Sequence, residues 1–122
     1  MHFSLAIYSS PAENGAAESA YKFAHEILKQ GHQIYRLFFF NDGVLNCADS
    51  PHFLCQRWQA LVQSNQLDAI TCIASAEKRG LVQASASKTG DKKIHPVFNV
   101  GGVAQLIDAT THSDRVITFG GE

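Results

Sequence analysis

Phe3-Ser4-Leu5-Ala6-Ile7-Tyr8 limits the folds open to this chain more than any other segment. Extended, it carries apolar side chains on both parities: Phe3, Leu5 and Ile7 on one, Ala6 and Tyr8 on the other. A strand apolar on both faces belongs in a parallel sheet sandwiched between helix layers. Ser9 to Gly15 is a turn-forming loop. From about Ala16 to Gln30, Ala20, Phe23, Ala24, Ile27 and Leu28 recur at helical spacing, and Gly31 stands where a left-handed C-terminal cap is common. Ile34 to Phe40 reads as a second strand, and Asn41 to Ser50 as a long loop. Pro51 is expected to open a helix that carries Phe53, Leu54, Trp58, Leu61 and Val62 on one side. A third strand runs from Ala69 to Ile73, followed by a turn or two of helix from Ala74 to Arg79, stopped by Gly80. Gln83 to Lys93 is polar and reads as a mobile surface loop. Pro96 to Val100 is a fourth strand or extended connection, Gly101 to Ala109 a helix, and Arg115 to Phe119 a closing strand. The alternation gives a three-layer α/β/α sandwich with a mainly parallel sheet of about five strands.

With 122 residues, the chain is expected to be one domain, residues 1–122. A composition 45% hydrophobic and 17% charged is that of a globular chain rather than a disordered one. The net charge of −1 gives no basic excess for wrapping nucleic acid, so any RNA connection has to pass through a partner. The N-terminus lacks a basic stretch ahead of its short apolar run, and no run reaches the about eighteen apolar residues of a membrane span. A cytoplasmic location is therefore expected, where thiols stay free.

Three cysteines, Cys47, Cys55 and Cys72, are an odd number with no zinc-knuckle spacing. Cys72 lies near the end of the third strand and at the start of a short helix. Reactive groups of open α/β sheets gather beyond the carboxyl ends of the strands. A helix start offers unpaired N–H groups that favour thiolate over thiol, and Lys78 and Arg79, within two turns, either add positive charge or, at the far end of a short helix, point elsewhere. Ala74, Ser75 and Ala76 are small enough for a partner's thiol to come close. The competing reading of Cys72 is a buried structural cysteine. Cys47 and Cys55 read as ordinary, partly exposed thiols, with Cys47 the better placed of the two to meet Cys72.

The six histidines form no metal-binding spacing. His95 is a proton shuttle at the active edge or a solvated loop histidine. Ser9 and Ser10 lack the glycines of a hydrolase elbow. Gly101-Gly102 serves either packing or an anion at a helix start. The Phe38-Phe39-Phe40 triplet has to point to both sides of its strand.

Four stretches carry a resemblance to a known family: the first strand with its Ser-Pro loop; Phe38 to Asn46; Cys72 to Gly80; and Phe98 to Ile107 with the closing strand from Asp114. Together they resemble the DsrE family of small sulfur-relay proteins, most closely its TusD-type subunit. The segment Cys72-Ile73-Ala74-Ser75-Ala76-Glu77-Lys78-Arg79-Gly80 is the most specific of the four, because the family's sulfur-accepting cysteine stands at that place. The resemblance implies a sulfurtransferase that accepts persulfide sulfur on Cys72 and passes it to a downstream carrier. It needs no metal or organic cofactor, because the cysteine persulfide is itself the carried group.

The implied partners are related sister subunits in a hetero-oligomer, or copies of the chain when it is isolated, together with upstream and downstream sulfur-carrier proteins. The Phe38 to Leu45 region is expected to face a neighbour. In TusD-type systems the sulfur ends in 2-thiouridine at the tRNA wobble position; in DsrE-type systems it belongs to dissimilatory sulfur oxidation. The rivals are a non-catalytic binding subunit of such an assembly, a thiol redox protein lacking its usual Cys-x-x-Cys, and a nucleotide-binding domain lacking its phosphate loop.

Overall fold

The computed structural model describes residues 1–13, 15–82 and 93–121. Five strands, β1 (His2–Ile7), β2 (Gln33–Phe39), β3 (Ala69–Cys72), β4 (Asn99–Gly101) and β5 (Arg115–Phe119), form one sheet in the order β4-β3-β2-β1-β5. Every neighbouring pair is parallel. The helices are α1 (Ala16–Lys29), α2 (Phe53–Asn65), α3 (Ile73–Lys78) and α4 (Val103–His112), with a 3-10 helix at Asn41–Cys47. From β1 to β4 the chain steps steadily towards one edge, and α4 then carries it back across the sheet to lay β5 against β1.

Side-chain alternation along the strands separates the two helix layers. Phe3 meets Phe23 of α1, whereas the next residue, Ser4, hydrogen-bonds Ser113 just after α4. Phe39 packs edge-on against Trp58 of α2 and against Phe98, while Arg36 reaches Gln105 and Asp108 of α4. Thus α1 and α2 cover one face and α4 the other. The phenylalanine triplet does point both ways. Phe38 and Phe39 are fully buried, and half-buried Phe40 stacks edge-on with Tyr8.

A β-bulge helps α4 to hold its face. Phe3 pairs with Ile34 but Ser4 pairs with Arg36, which leaves Tyr35 as the extra residue of β2. Tyr35 and Arg36, neighbours that would otherwise face apart, both reach Asp108 of α4. Arg36 also donates twice to Asp68, just ahead of β3.

Several element limits differ from the sequence reading. Asn41 to Ser50 is not an open loop: its first seven residues coil into the 3-10 helix and bury Gly43, Val44, Asn46 and Cys47. Asn46 explains this. Its Nδ2 donates to the carbonyls of Ser9 and Gly43, and its Oδ1 accepts from Trp58 Nε1. One buried amide thereby satisfies both its ends and ties the loop after β1 to α2. Pro51 stands outside α2, whose N-cap is His52, with Nδ1 accepting from the Leu54 N–H.

Phe53 does not join the apolar side of α2; it is exposed, stacked on His52 and covered by Arg57. Gly31 does cap α1: His32 N–H donates to Ile27 and Gly31 N–H to Leu28, the paired bonds of a Schellman motif. The helix expected at Gly101 to Ala109 begins at Val103 and extends to His112, through threonines whose hydroxyls bond back to Ile107. Of the stretch expected to be a mobile loop, Gln83 to Lys93, all but Lys93 lies outside the described residues.

Candidate functional site

Cys72 is the last residue of β3 and the N-cap of α3. Strand alternation sets its side chain on the α4 face: Thr71 pairs with Phe39, which faces α2, so the next residue turns the other way. Its register partner on β4 is Gly101, whose missing side chain keeps the neighbouring strand thin at this point. Cys72 is 4% exposed. No hydrogen bond caps α3 through its side chain, and α3 is six residues long. The helix-start effect expected from the sequence is therefore confined to unpaired N–H groups in one short turn. Ala74 is exposed, whereas Ser75 and Ala76 are buried, so one of the three small neighbours leaves room for an approaching thiol.

Polar groups from the 3-10 helix hold α3 in place. Asn41 N–H donates to Ser75 Oγ at 3.0 Å. Arg79, the C-cap of α3, donates from Nε to Asp42 Oδ1 at 2.8 Å and from Nη1 to the Ser75 carbonyl at 3.1 Å. Gly80 follows at φ +74°, the left-handed conformation that lets the chain leave the helix. Beside this junction, at the carboxyl ends of β1, β2 and β5, a pocket of about 620 Å³ is lined by Tyr8, Glu13, Asn41, Asp42 and Arg79, among others. It lies where the strand order reverses around β1, the position at which open α/β sheets form their crevices. Arg79 thus faces a carboxylate and a pocket, the second of the two placements open from the sequence. Asp42 had no signal in the sequence, since 37 residues separate it from Arg79.

Cys47 and Cys55 are not partly exposed: they stand at 0% and 2% exposure, in the layer across the sheet from Cys72. Burial pushes the Cys47 thiol well above the ordinary thiol range, and the neighbouring Thr71 hydroxyl offsets this only in part. Apart from that contact with the Cys47 thiol, the buried Thr71 Oγ1 has no hydrogen-bond partner among the described residues. Burial also raises the Cys55 thiol, whose Sγ–H donates to the Leu45 carbonyl. With Cys47 against Thr71 and Cys72 turned to the opposite face, Cys47 is not placed to meet Cys72.

His95 is not poised as a shuttle. Its Nδ1 accepts from the Val97 N–H, and its ring meets Phe98. At Gly101-Gly102 packing prevails over anion binding. Gln105 Oε1 takes the Gly102 N–H, and a Cβ on Gly101 would crowd Gln105 and Ile70. Among the described residues no helix is long and apolar enough to cross a membrane.

The sequence matches the model of the DsrE/DsrF-like family over residues 1–119. The chain belongs to that family. Its relatives include the DsrE protein of Allochromatium vinosum, 38% identical over 98% of this chain and 99% of the relative. A sulfurtransferase TusD homolog of Pseudomonas aeruginosa is 33% identical over 100% and 99%. The crystal structure of the YchN protein of E. coli superposes with a TM-score of 0.75, covering 98% of this chain and all of that one. At 16% identity that likeness concerns the fold, and it agrees with the α/β architecture expected from the sequence.

Proposed function

We propose that this DsrE/DsrF-like chain is a sulfurtransferase subunit of a sulfur relay and carries its sulfur as a persulfide on Cys72. The observation that carries the reading is the position of Cys72, at the carboxyl end of a parallel strand, in a chain whose relatives are named sulfurtransferases. The Cys72 thiolate attacks the outer sulfur of a donor persulfide. The donor S–S bond breaks, its electron pair leaves with the donor thiolate, and Cys72 keeps the sulfur as Cys–S–S⁻. An acceptor thiolate then takes that terminal sulfur and restores the Cys72 thiolate. Each step exchanges one S–S bond for another, so no metal or organic cofactor enters.

The relay runs in the cytoplasm through upstream and downstream carrier proteins, and its product is 2-thiouridine at the tRNA wobble position. The 38% identity to the DsrE protein of Allochromatium vinosum favours a second destination, dissimilatory sulfur oxidation. The chain works in an oligomer with related subunits or, when isolated, with its own copies. In the Phe38 to Leu45 region, Phe38, Phe39 and Val44 are fully buried, whereas Phe40 and Leu45 are half-buried and Asn41 is exposed. Exposed apolar side chains also stand on α4, Val103 at 54% and Ile107 at 62%, with Val116 on the neighbouring edge strand.

Intact mass after incubation with a persulfide donor tests the assignment. The parent gains the mass of one sulfur, Cys47→Ser and Cys55→Ser keep most of that gain, and Cys72→Ser loses it. Loading of Cys72→Ser at the parental level would refute it. Wobble 2-thiouridine in cells lacking the chain separates the two destinations, since it falls only if the relay supplies tRNA.

A further inference from the structure

A helix of six residues does not hold itself together, because nucleation costs more than so few backbone bonds return. The position of α3, and of Cys72 at its start, therefore depends on what grips it from outside. Two of those grips meet at Ser75 and Arg79. The guanidinium of Arg79 folds back along α3 to the Ser75 carbonyl and, with a second nitrogen, holds Asp42 on the 3-10 helix. The Asn41 N–H, one residue before Asp42, holds Ser75 Oγ. Arg79 is thus the joint between the first turn of α3 and the segment that follows β2, and it forms part of the pocket wall.

A lysine cannot replace it, since one ammonium does not present two planar N–H directions to a carboxylate and a carbonyl at once. The side chains of Arg79 and Asp42 are 25% and 47% exposed, so the pair adds little to global stability, where exposed ion pairs contribute weakly. Its geometric constraint does not depend on that contribution.

We infer that Arg79 and Asp42 are positioning residues for Cys72, fixing α3 so that the thiol stands in a defined orientation to an incoming sulfur donor. The inference deepens the sulfur-carrier reading and rests on it. Loosening the clamp lets the α3 start wander. Displacements on the scale of an ångström at a reacting group cost up to about a hundredfold in rate.

The test uses the full chain and inorganic polysulfide as donor. The Cys72 thiolate attacks a polysulfide sulfur, one S–S bond breaks, and the shortened polysulfide leaves with the electron pair. Loading of Cys72 is followed by intact mass, beside the rate of iodoacetamide alkylation at Cys72 and the thermal midpoint. Arg79→Gln, Arg79→Lys and Asp42→Ala are each expected to slow loading by about five- to tenfold, within that range, and to shift the alkylation rate of the buried thiol away from the parental one. Asp42→Asn, which keeps an acceptor for Arg79, is expected to recover most of the rate. The double variant Arg79→Gln/Asp42→Ala should be no slower than either single one, as for two residues acting through one contact.

Asp68→Ala, which breaks an ion pair with Arg36 elsewhere in the fold, should lower the thermal midpoint and leave both rates unchanged. Folded Arg79 and Asp42 variants that load and alkylate at the parental rate overturn the inference, and so does an equal slowing in Asp68→Ala. If Cys72→Ser still takes up sulfur, the carrier assignment fails separately, and the alkylation rates still decide whether the clamp positions this thiol.

Discussion

Thr71 and Cys72 are consecutive in β3 and face opposite sides of the sheet, Thr71 towards Cys47 and Cys72 towards the α4 layer. The chain's thiols are thereby divided. Cys47 and Cys55 lie buried between the sheet and α2, and Cys72, buried as well, stands on the other side where β3 turns into α3. A disulfide switch between Cys47 and Cys72 has no geometric basis in this fold.

The buried thiols give the chain an alkaline weakness. Burial raises the Cys47 thiol above its unfolded value, so its contribution to stability is complete below about pH 8.5 and is lost as pH rises towards the folded value. Over that window each pH unit removes at most about 1.4 kcal/mol. Urea midpoints between pH 7 and pH 10 are expected to fall, and Cys47→Ala should flatten the fall. In the native state Cys47 and Cys55 should resist iodoacetamide until urea exposes them; rapid alkylation of either at neutral pH would contradict their burial.

On the acid side Asp108 and Asp114 are both sensitive, and Asp108 is the one bonded across elements by side chains. The Tyr35 hydroxyl, followed by His112 and Arg36, holds its carboxyl below the usual carboxylate range. Its contribution is present above about pH 3.9 and is lost as pH falls through the lowered folded value. Asp108→Asn is expected to make stability less dependent on pH below 4, measured by denaturant titration at several pH values. A parental pH dependence in that variant would remove Asp108 from this role.

Asn46 holds three elements together, and its removal should be felt well beyond its own size. Asn46→Ala leaves the Trp58 N–H and the carbonyls of Ser9 and Gly43 buried without their partner. A cost of about 1–3 kcal/mol per unsatisfied group is the usual scale, less whatever water recovers. Chemical denaturation gives the value, and a change below about 0.5 kcal/mol, the range of ordinary surface substitutions, would mean the amide is not the tie described.

For assembly, Val103→Asp and Ile107→Asp put charge into the exposed apolar side of α4 without touching the core. If that side is the contact surface, light scattering should show the oligomer shifting towards monomer, with the secondary structure retained by circular dichroism. An unchanged oligomer would move the contact elsewhere.

The sequence by itself determined the architecture and the place of Cys72 at the end of a strand. Strands apolar on both faces, alternating with helical periodicity, require a parallel sheet between helix layers, and β5 and the core of α1 lie where periodicity put them. Cys72 was legible because its placement depends on local order alone, a strand giving way to a helix. Tertiary structure decided what depends on partners far along the chain. The 3-10 helix exists because Asn46 bonds Ser9 and Trp58; Tyr35 and Arg36 share a face because of one bulge; Arg79 is claimed by Asp42. The exposure of Phe53 likewise differs from its periodicity, which identifies an apolar side chain but not what covers it. Cover is set by which layer lands on which face, and that follows from the crossing of α4 back over the sheet.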